Sequence, residues 1–239
     1  MWVVYTNNRY SDGAKALAVA LNVPYRNKEL KYSDVINWGS TDVPRYNRIV
    51  NSPEAVMIAV NKLKTFNVLE NKNIPIVQYT TDRNQAMSWL SGDKIVYCRQ
   101  QIAGHGGEGI LIVKDKVSLP NHCPMYTLGI EDSDEYRVHV MFGKVIDVSK
   151  KLKPRNAIVN PHIRNYNNGW VYGRNDIVIP RSVTTSSLIA VKTLELDFGA
   201  VDILHYNGKP YILEVNTAPG IQGTTLNKYV ENLRKVIYG

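Results

Sequence analysis

The run Gly199-Ala200-Val201-Asp202-Ile203-Leu204, the dipeptide Asn207-Gly208 and the run Leu213-Glu214-Val215-Asn216-Thr217-Ala218-Pro219-Gly220 decide how this chain is read. Both flanks are apolar and of strand length, and Asn-Gly is a hairpin turn signal. The segment therefore reads as a β-hairpin with Asp202 on one strand and Glu214 and Asn216 on the other. Side chains alternate along a strand, so Glu214 and Asn216 share a face, with Cα atoms about 6.6 Å apart. Two carboxylates and an amide at that spacing suit a hard cation such as Mg²⁺, with Mn²⁺ an alternative, that fills its other positions with phosphate oxygens and water. The plainer reading is a surface hairpin with a polar wet face, but acidic groups inside apolar strands are costly to bury without a partner. Register adds a demand. A strict two-residue turn at Asn207-Gly208 pairs Asp202 with Leu213 and puts the carboxylates on opposite faces, so a shared ion requires a three-residue loop or a β-bulge.

Upstream, residues 2–5 read as a short strand and residues 11–21 as a helix capped by Ser11 or Asp12, with Ala16, Leu17, Ala20 and Leu21 on its apolar face. Residues 35–39 suggest a strand ending in Gly39. Residues 53–70 read as one helix with Ala55, Ile58, Ala59, Leu63, Phe66 and Leu69 on one side, broken at Pro75 before a strand at 76–79. Residues 82–90 suit a helix, and 94–101 and 110–113 suit strands around a glycine-rich loop. Two further helices are expected near 185–196 and 226–236. Gly104-His105-Gly106-Gly107-Glu108-Gly109 matches G-x-G-x-x-G, but a dinucleotide fingerprint must open a helix. Here the strand-like Ile110-Leu111-Ile112-Val113 follows, and no Gly-Lys-Ser/Thr makes it a Walker A loop. The pattern is that of a hairpin flap, closer to loops that cover nucleotide phosphates with backbone N–H groups.

With 239 residues, 44% of them hydrophobic, the chain can form one substantial core or two to three small subdomains. No stretch approaches the roughly 18 apolar residues of a membrane helix, and no basic segment leads into an apolar signal core. Cys98 and Cys123 lie in no metal-like spacing. A soluble, cytoplasmic, reduced protein is the expectation. The net charge of +8, from 29 Lys and Arg, calls for an anionic partner. The basic residues are scattered, with no zinc-finger or RNA-recognition signature, which argues against nucleic acid as the main target. Oligomeric state is open.

The metal-like hairpin resembles that of the ATP-grasp enzymes, particularly D-alanine–D-alanine ligases and ribosomal-protein glutamate ligases. The likeness is strongest over residues 126–225, recognisable over 53–113 and weak before 50. It implies an α+β ATP-grasp fold: a small N-terminal α/β region (1–52), a central or lid subdomain with the glycine-rich flap (53–125), and a C-terminal subdomain with the metal site (126–239). Asp202, Glu214 and Asn216 fall on the family's metal positions. The resemblance further implies nucleotide contacts from Lys64, from Arg99 where the family usually has lysine, from the flap glycines Gly106, Gly107 and Gly109, from the hinge Tyr126, Thr127 and Leu128, and from Glu135 at the ribose. Arg137 shares the Glu135 face of its strand, towards the phosphates or a substrate carboxylate. Lys151 matches a residue that reaches the γ-phosphate, with Lys150 taking its place if the register slips. Arg164 resembles the arginine of a loop that closes over the phosphates. Residues 220–225 match a loop that presents backbone donors to substrate.

The activity so implied is ATP-dependent ligation of a carboxylate to an amine through an acyl phosphate, releasing ADP and phosphate. The substrates are small molecules or peptides, with an acidic protein tail one candidate. No Ser-His-Asp or Cys-His set competes with this reading. Two others stand beside it: a kinase-like ATP-grasp enzyme with a non-carboxylate acceptor, and a non-catalytic module binding nucleotide or nucleic acid.

Overall fold

The computed structural model describes residues 1–92, 94–103 and 108–239, which form three sheets. The N-terminal unit comprises β1 (Trp2–Tyr5), α1 (Asp12–Leu21), β2 (Tyr25–Arg26), β3 (Ser33–Asn37) and β4 (Tyr46–Val50), with strands parallel in the order β2-β1-β3-β4. Ser11 caps α1, its side chain accepting from the Ala14 N–H. The buried face of α1 is Ala14, Leu17, Ala18 and Leu21. Ala16 and Ala20, expected inside, sit at its margins, because Leu17 and Leu21 set the stripe and the i−3 positions complete it.

Residues 53–70 are two helices, α2 (Pro53–Ala59) and α3 (Lys62–Glu70), not one. Asn61 restarts the helix by accepting from the Lys64 N–H at 3.0 Å, and the Thr65 hydroxyl satisfies the Ile58 and Ala59 carbonyls at the end of α2. Next come β5 (Tyr79–Thr80), α4 (Arg83–Trp89), β6 (Val96–Arg99), β7 (Ile110–Val113) and β8 (Met125–Leu128), which build an antiparallel sheet ordered β5-β8-β6-β7. The strand expected at 76–79 is displaced. Ile76 makes only an isolated bridge to Ile212, and regular pairing begins at Tyr79, beyond Pro75.

The large antiparallel sheet holds β9 (Asp134–Met141), β10 (Lys144–Leu152), β11 (Val171–Gly173), β12 (Phe198–Tyr206) and β13 (Lys209–Asn216), in the order β11-β10-β9-β12-β13. Helix α5 (Arg181–Thr193) precedes β12 and α6 (Gly223–Tyr238) follows β13. One face of the sheet sends Tyr136, Val138, Val140, Val201, Ile203, Ile212 and Val215 into a core with α2, α3 and α5. Each such side chain contributes about 1.5–3 kcal/mol on burial. The other face is left for polar residues and, at one end, for α6. A second core joins α1 and α6 to Trp38, Met141 and Phe198. No helix among the described residues is long and apolar enough to cross a membrane.

Two contacts fasten the N-terminal unit to the large sheet. Asn51, buried with φ of 65°, accepts from the Asp197 and Phe198 N–H groups and donates to the Phe198 carbonyl. Gly39, with φ of +79°, lies so close to Ala218 that an added Cβ would stand 2.7 Å from the alanine methyl. Asn51→Ala removes three hydrogen bonds at a left-handed position. It should lower unfolding stability by about 2–4 kcal/mol in urea titration.

Candidate functional site

The hairpin demand is met by a bulge. Asn207 and Gly208 both have positive φ, 47° and 75°, giving a two-residue type I′ turn with Tyr206 opposite Lys209. Pairing stays strict as far as Ile203 opposite Ile212, then shifts by one, so that Asp202 stands opposite Glu214. Leu213 is the extra residue. Asp202 and Glu214 thus become cross-strand neighbours facing the space between the antiparallel sheet and the large sheet, where a cavity of about 380 Å³ lies.

Asp202, Glu135 and Glu214 in that cavity each have a cation beside them. Arg137, opposite Asp202 on β9, donates from Nε and Nη2 to its two oxygens, both at 2.6 Å. Lys151 Nζ lies 2.5 Å from Glu135 and 3.9 Å from Asp202, and Lys62 Nζ lies 3.1 Å from Glu214. Burial alone would raise the Asp202 carboxyl, but Arg137 and Lys151 outweigh it and hold that group well below the usual carboxylate range. Burial likewise opposes the charge on Lys151, yet the Asp202 and Glu135 carboxylates raise its ammonium above the ordinary lysine value. Glu135 itself is pushed up, its desolvation exceeding the pull of Lys151.

The cavity brings together most of the residues singled out from sequence. Asp202, Glu214, Asn216, Glu135, Arg137, Lys151, Arg164, Arg99, Thr127 and Leu128 all line it. Lys151 pairs with Tyr172 of β11 and lines the cavity, whereas Lys150 turns to Asp134 and the Tyr136 ring and does not. Arg164 reaches the Ser133 carbonyl at 2.6 Å and lies over the Trp170 ring. Tyr126 packs its side chain into the antiparallel sheet's own core, leaving only its backbone towards the hinge. Gly109 bonds its carbonyl to the Gln100 N–H at 2.8 Å, next to the cavity-lining Glu108 and Ile110. Gly106 and Gly107 lie outside the described residues.

Lys64 is not part of the site. It is exposed on α3, while Lys62 takes the place in the cavity wall. The phase shift at Asn61 is the cause, and an Asn inside a helical run was the signal that could have revealed it. Sequence reading also missed Tyr172, whose ring lies 5.1 Å from the Arg137 guanidinium carbon, and the apolar lining of Val77, Ile130, Leu204 and Leu213.

No family model matches the chain, and no curated protein does. Solved structures do. A D-alanine–D-alanine ligase from Bacillus anthracis superposes with a TM-score of 0.66 at 14% identity, over 99% of this chain and 93% of that one. The chain has the ATP-grasp fold. ATP-grasp ligase PsnB, complexed with a phosphomimetic variant of its minimal precursor, Mg and ADP, gives 0.70 at 12% identity over 98% and 97% of the two chains. An ATP-grasp RimK domain protein from Sphaerobacter thermophilus gives 0.67 at 10% identity over 97% and 98%. The chain thus aligns with these structures along nearly its whole length, N-terminal unit included.

The residues present fit a nucleotide with a hard ion. Arg99 Nε and Thr127 Oγ1 are buried in the cavity wall without a hydrogen-bond partner, a state that costs about 1–3 kcal/mol per group and that a bound phosphate or ribose hydroxyl would relieve. Burial pulls the Arg99 guanidinium below its ordinary value, against the opposing pull of Glu214. Among the described residues no three His, Cys, Asp or Glu groups converge into a protein-only metal cage. Two carboxylates and the Asn216 amide instead suit an ion that takes its other oxygens from phosphate and water.

His139, on the same face of β9, meets the Tyr229 hydroxyl at 3.1 Å under α6, away from the cavity, so it serves packing. Burial, then Arg137, lowers it from 6.5 to about 4. Between those values the unfolded chain binds more protons than the folded one, so stability falls as pH falls. A loss of about 3 kcal/mol across that window is expected in urea titrations, and His139→Gln should remove that slope.

Proposed function

We propose that the chain is an ATP-dependent carboxylate–amine ligase that works through an acyl phosphate. The observation that carries this reading is the bulged pairing of Asp202 with Glu214 in a cavity where the buried Arg99 Nε has no hydrogen-bond partner. Asp202, Glu214 and Asn216 would hold Mg²⁺, or Mn²⁺ in its place, which when bound neutralises and aligns the phosphates. Val77, Leu128, Ile130, Leu204 and Leu213 give the adenine an apolar slot, and the unpartnered Thr127 hydroxyl lies in the same wall. Arg99 and Lys62 bind phosphate oxygens, and Glu135 lies where a ribose ligand is expected. The antiparallel sheet β5-β8-β6-β7 with α4, residues 79–128, would act as the lid, the large sheet with α2, α3, α5 and α6 as the base, and residues 1–52 would select the substrate.

Phosphoryl transfer needs alignment and charge neutralisation more than covalent help. A substrate carboxylate oxygen attacks the γ-phosphorus and the bond to ADP breaks. An amine then attacks the acyl carbon, phosphate leaves with the bonding pair, and the amine loses its proton. Lys151, kept protonated by its two carboxylates, and Arg137 stabilise the charge that develops on the transferring oxygens. Arg164, bonded to the Ser133 carbonyl and lying over Trp170, anchors the 161–165 loop against the cavity. The aligned structure of PsnB with precursor peptide PsnA2 and AMPPNP favours a peptide as one substrate.

Phosphorus NMR with Mg-ATP, a pool of amino acids and peptides, and cell extract tests this. ADP and phosphate should appear only with the pool present, and Glu214→Ala should slow their release by about 100-fold or more. AMP and pyrophosphate would overturn the acyl-phosphate route. In nucleotide titrations Lys62→Ala should weaken binding by about tenfold, whereas Lys64→Ala, on an exposed charge, should stay within about twofold.

A further inference from the structure

The N-terminal sheet reverses its strand order between β1 and β3, and open parallel sheets bind ligands outside the carboxyl ends of their strands at such a point. The loops leaving those strands, residues 6–11 and 38–41, form one wall of a second cavity of about 660 Å³, and residues 214–218 form the wall opposite. Lys62, Glu108, Glu214 and Asn216 line both cavities, so the second opens beside the carboxylates of the first.

Its chemistry is unlike that of its neighbour. The sheet-side wall carries the hydroxyls and amides of Thr6, Asn7, Asn8, Ser11, Ser40 and Thr41 beside Trp38 and Gly39, with Val60 and Phe66 among the uncharged residues elsewhere in the lining. These groups are held in place. Ser40 Oγ accepts from the Asn7 N–H at 2.7 Å, and the Asn37 side chain clamps the Ser40 backbone through both its N–H and its carbonyl. Among the described lining residues the only charges are Lys62, Glu108 and Glu214, all at the shared mouth, and Lys62 is bonded to Glu214. A chain of net charge +8 thus offers this cavity one cation against two anions. An acidic ligand body would lose its hydration there with no cation on the inner wall to replace it.

We propose that this second cavity receives the substrate, and that it selects one whose body beyond the reacting group is uncharged and rich in hydrogen-bonding groups, such as a peptide carrying hydroxyl or amide side chains, in preference to an acidic tail. The placement rests on the ligase reading. The preference rests on the wall itself.

Matched tetrapeptides test it, identical in their termini and carrying Ser and Asn, Asp and Glu, or Lys and Arg between them. Saturation-transfer NMR reads their binding to the full chain, with and without a non-hydrolysable ATP analogue. The neutral set should bind about tenfold more tightly than the acidic set, and Thr41→Lys, on the exposed rim, should shift the preference about tenfold towards acid. Equal or tighter binding of the acidic set overturns the proposal, as does no binding of any set or a Thr41→Lys preference that does not move. Affinity for the nucleotide analogue is measured separately. Its loss, with the peptide preference intact, would count against the ligase reading and leave the selectivity standing.

Discussion

Glu214 faces Asp202 only because β13 carries one more residue than β12 between the turn and the carboxylates. Parity governs a strand: a shift of one residue sends every side chain beyond it to the opposite face. Leu213 absorbs that shift within a single step, so the residues before it keep Ile212 in the core while those after it return Glu214 and Asn216 to the cavity and Val215 to the core. The rest of the site follows. Arg137 can hold Asp202 because β9 pairs β12 without interruption, and Lys62 reaches Glu214 because α3 begins beside the strand the bulge has bent.

The charges in the cleft form an interlocked set. Asp202, Glu135 and Glu214 would each be costly to bury alone, and each is matched by Arg137, Lys151 or Lys62. Removing one partner leaves the other exposed to the full desolvation penalty, which makes such sets sensitive to single substitutions even where their net contribution to stability is small. The same arrangement keeps the cleft near neutrality. Under the proposed function, a phosphate chain would exchange places with the carboxylates that now hold these cations.

Much of this was legible in the chain. The hairpin, the shared face of Glu214 and Asn216, a cap at Ser11 or Asp12 and the strand at 110–113 all rest on local rules of alternation, turn chemistry and capping, which hold whatever the tertiary setting. The failures share a different cause. Lys64 is placed at the nucleotide by resemblance alone, whereas the restart of the helix at Asn61, which period counting cannot register, leaves Lys64 exposed and brings Lys62 to the cavity wall. The bulge and the three-residue loop were equally compatible with Asn207-Gly208, since the choice depends on how Ile212 and Ile203 pack into a core built from distant segments. Tyr172 joined the site through pairing of a three-residue strand across a long loop, and no periodicity announces so short an element.

Gly39 meets Ala218 where neither loop can yield a side chain's width. The contact there is backbone against a single methyl group, and both residues line the second cavity. The loop that follows β13 therefore cannot shift towards the N-terminal sheet without collision. The width of that chamber between the two loops becomes a fixed dimension of the molecule, gauged by a residue that contributes no atoms of its own beyond the main chain.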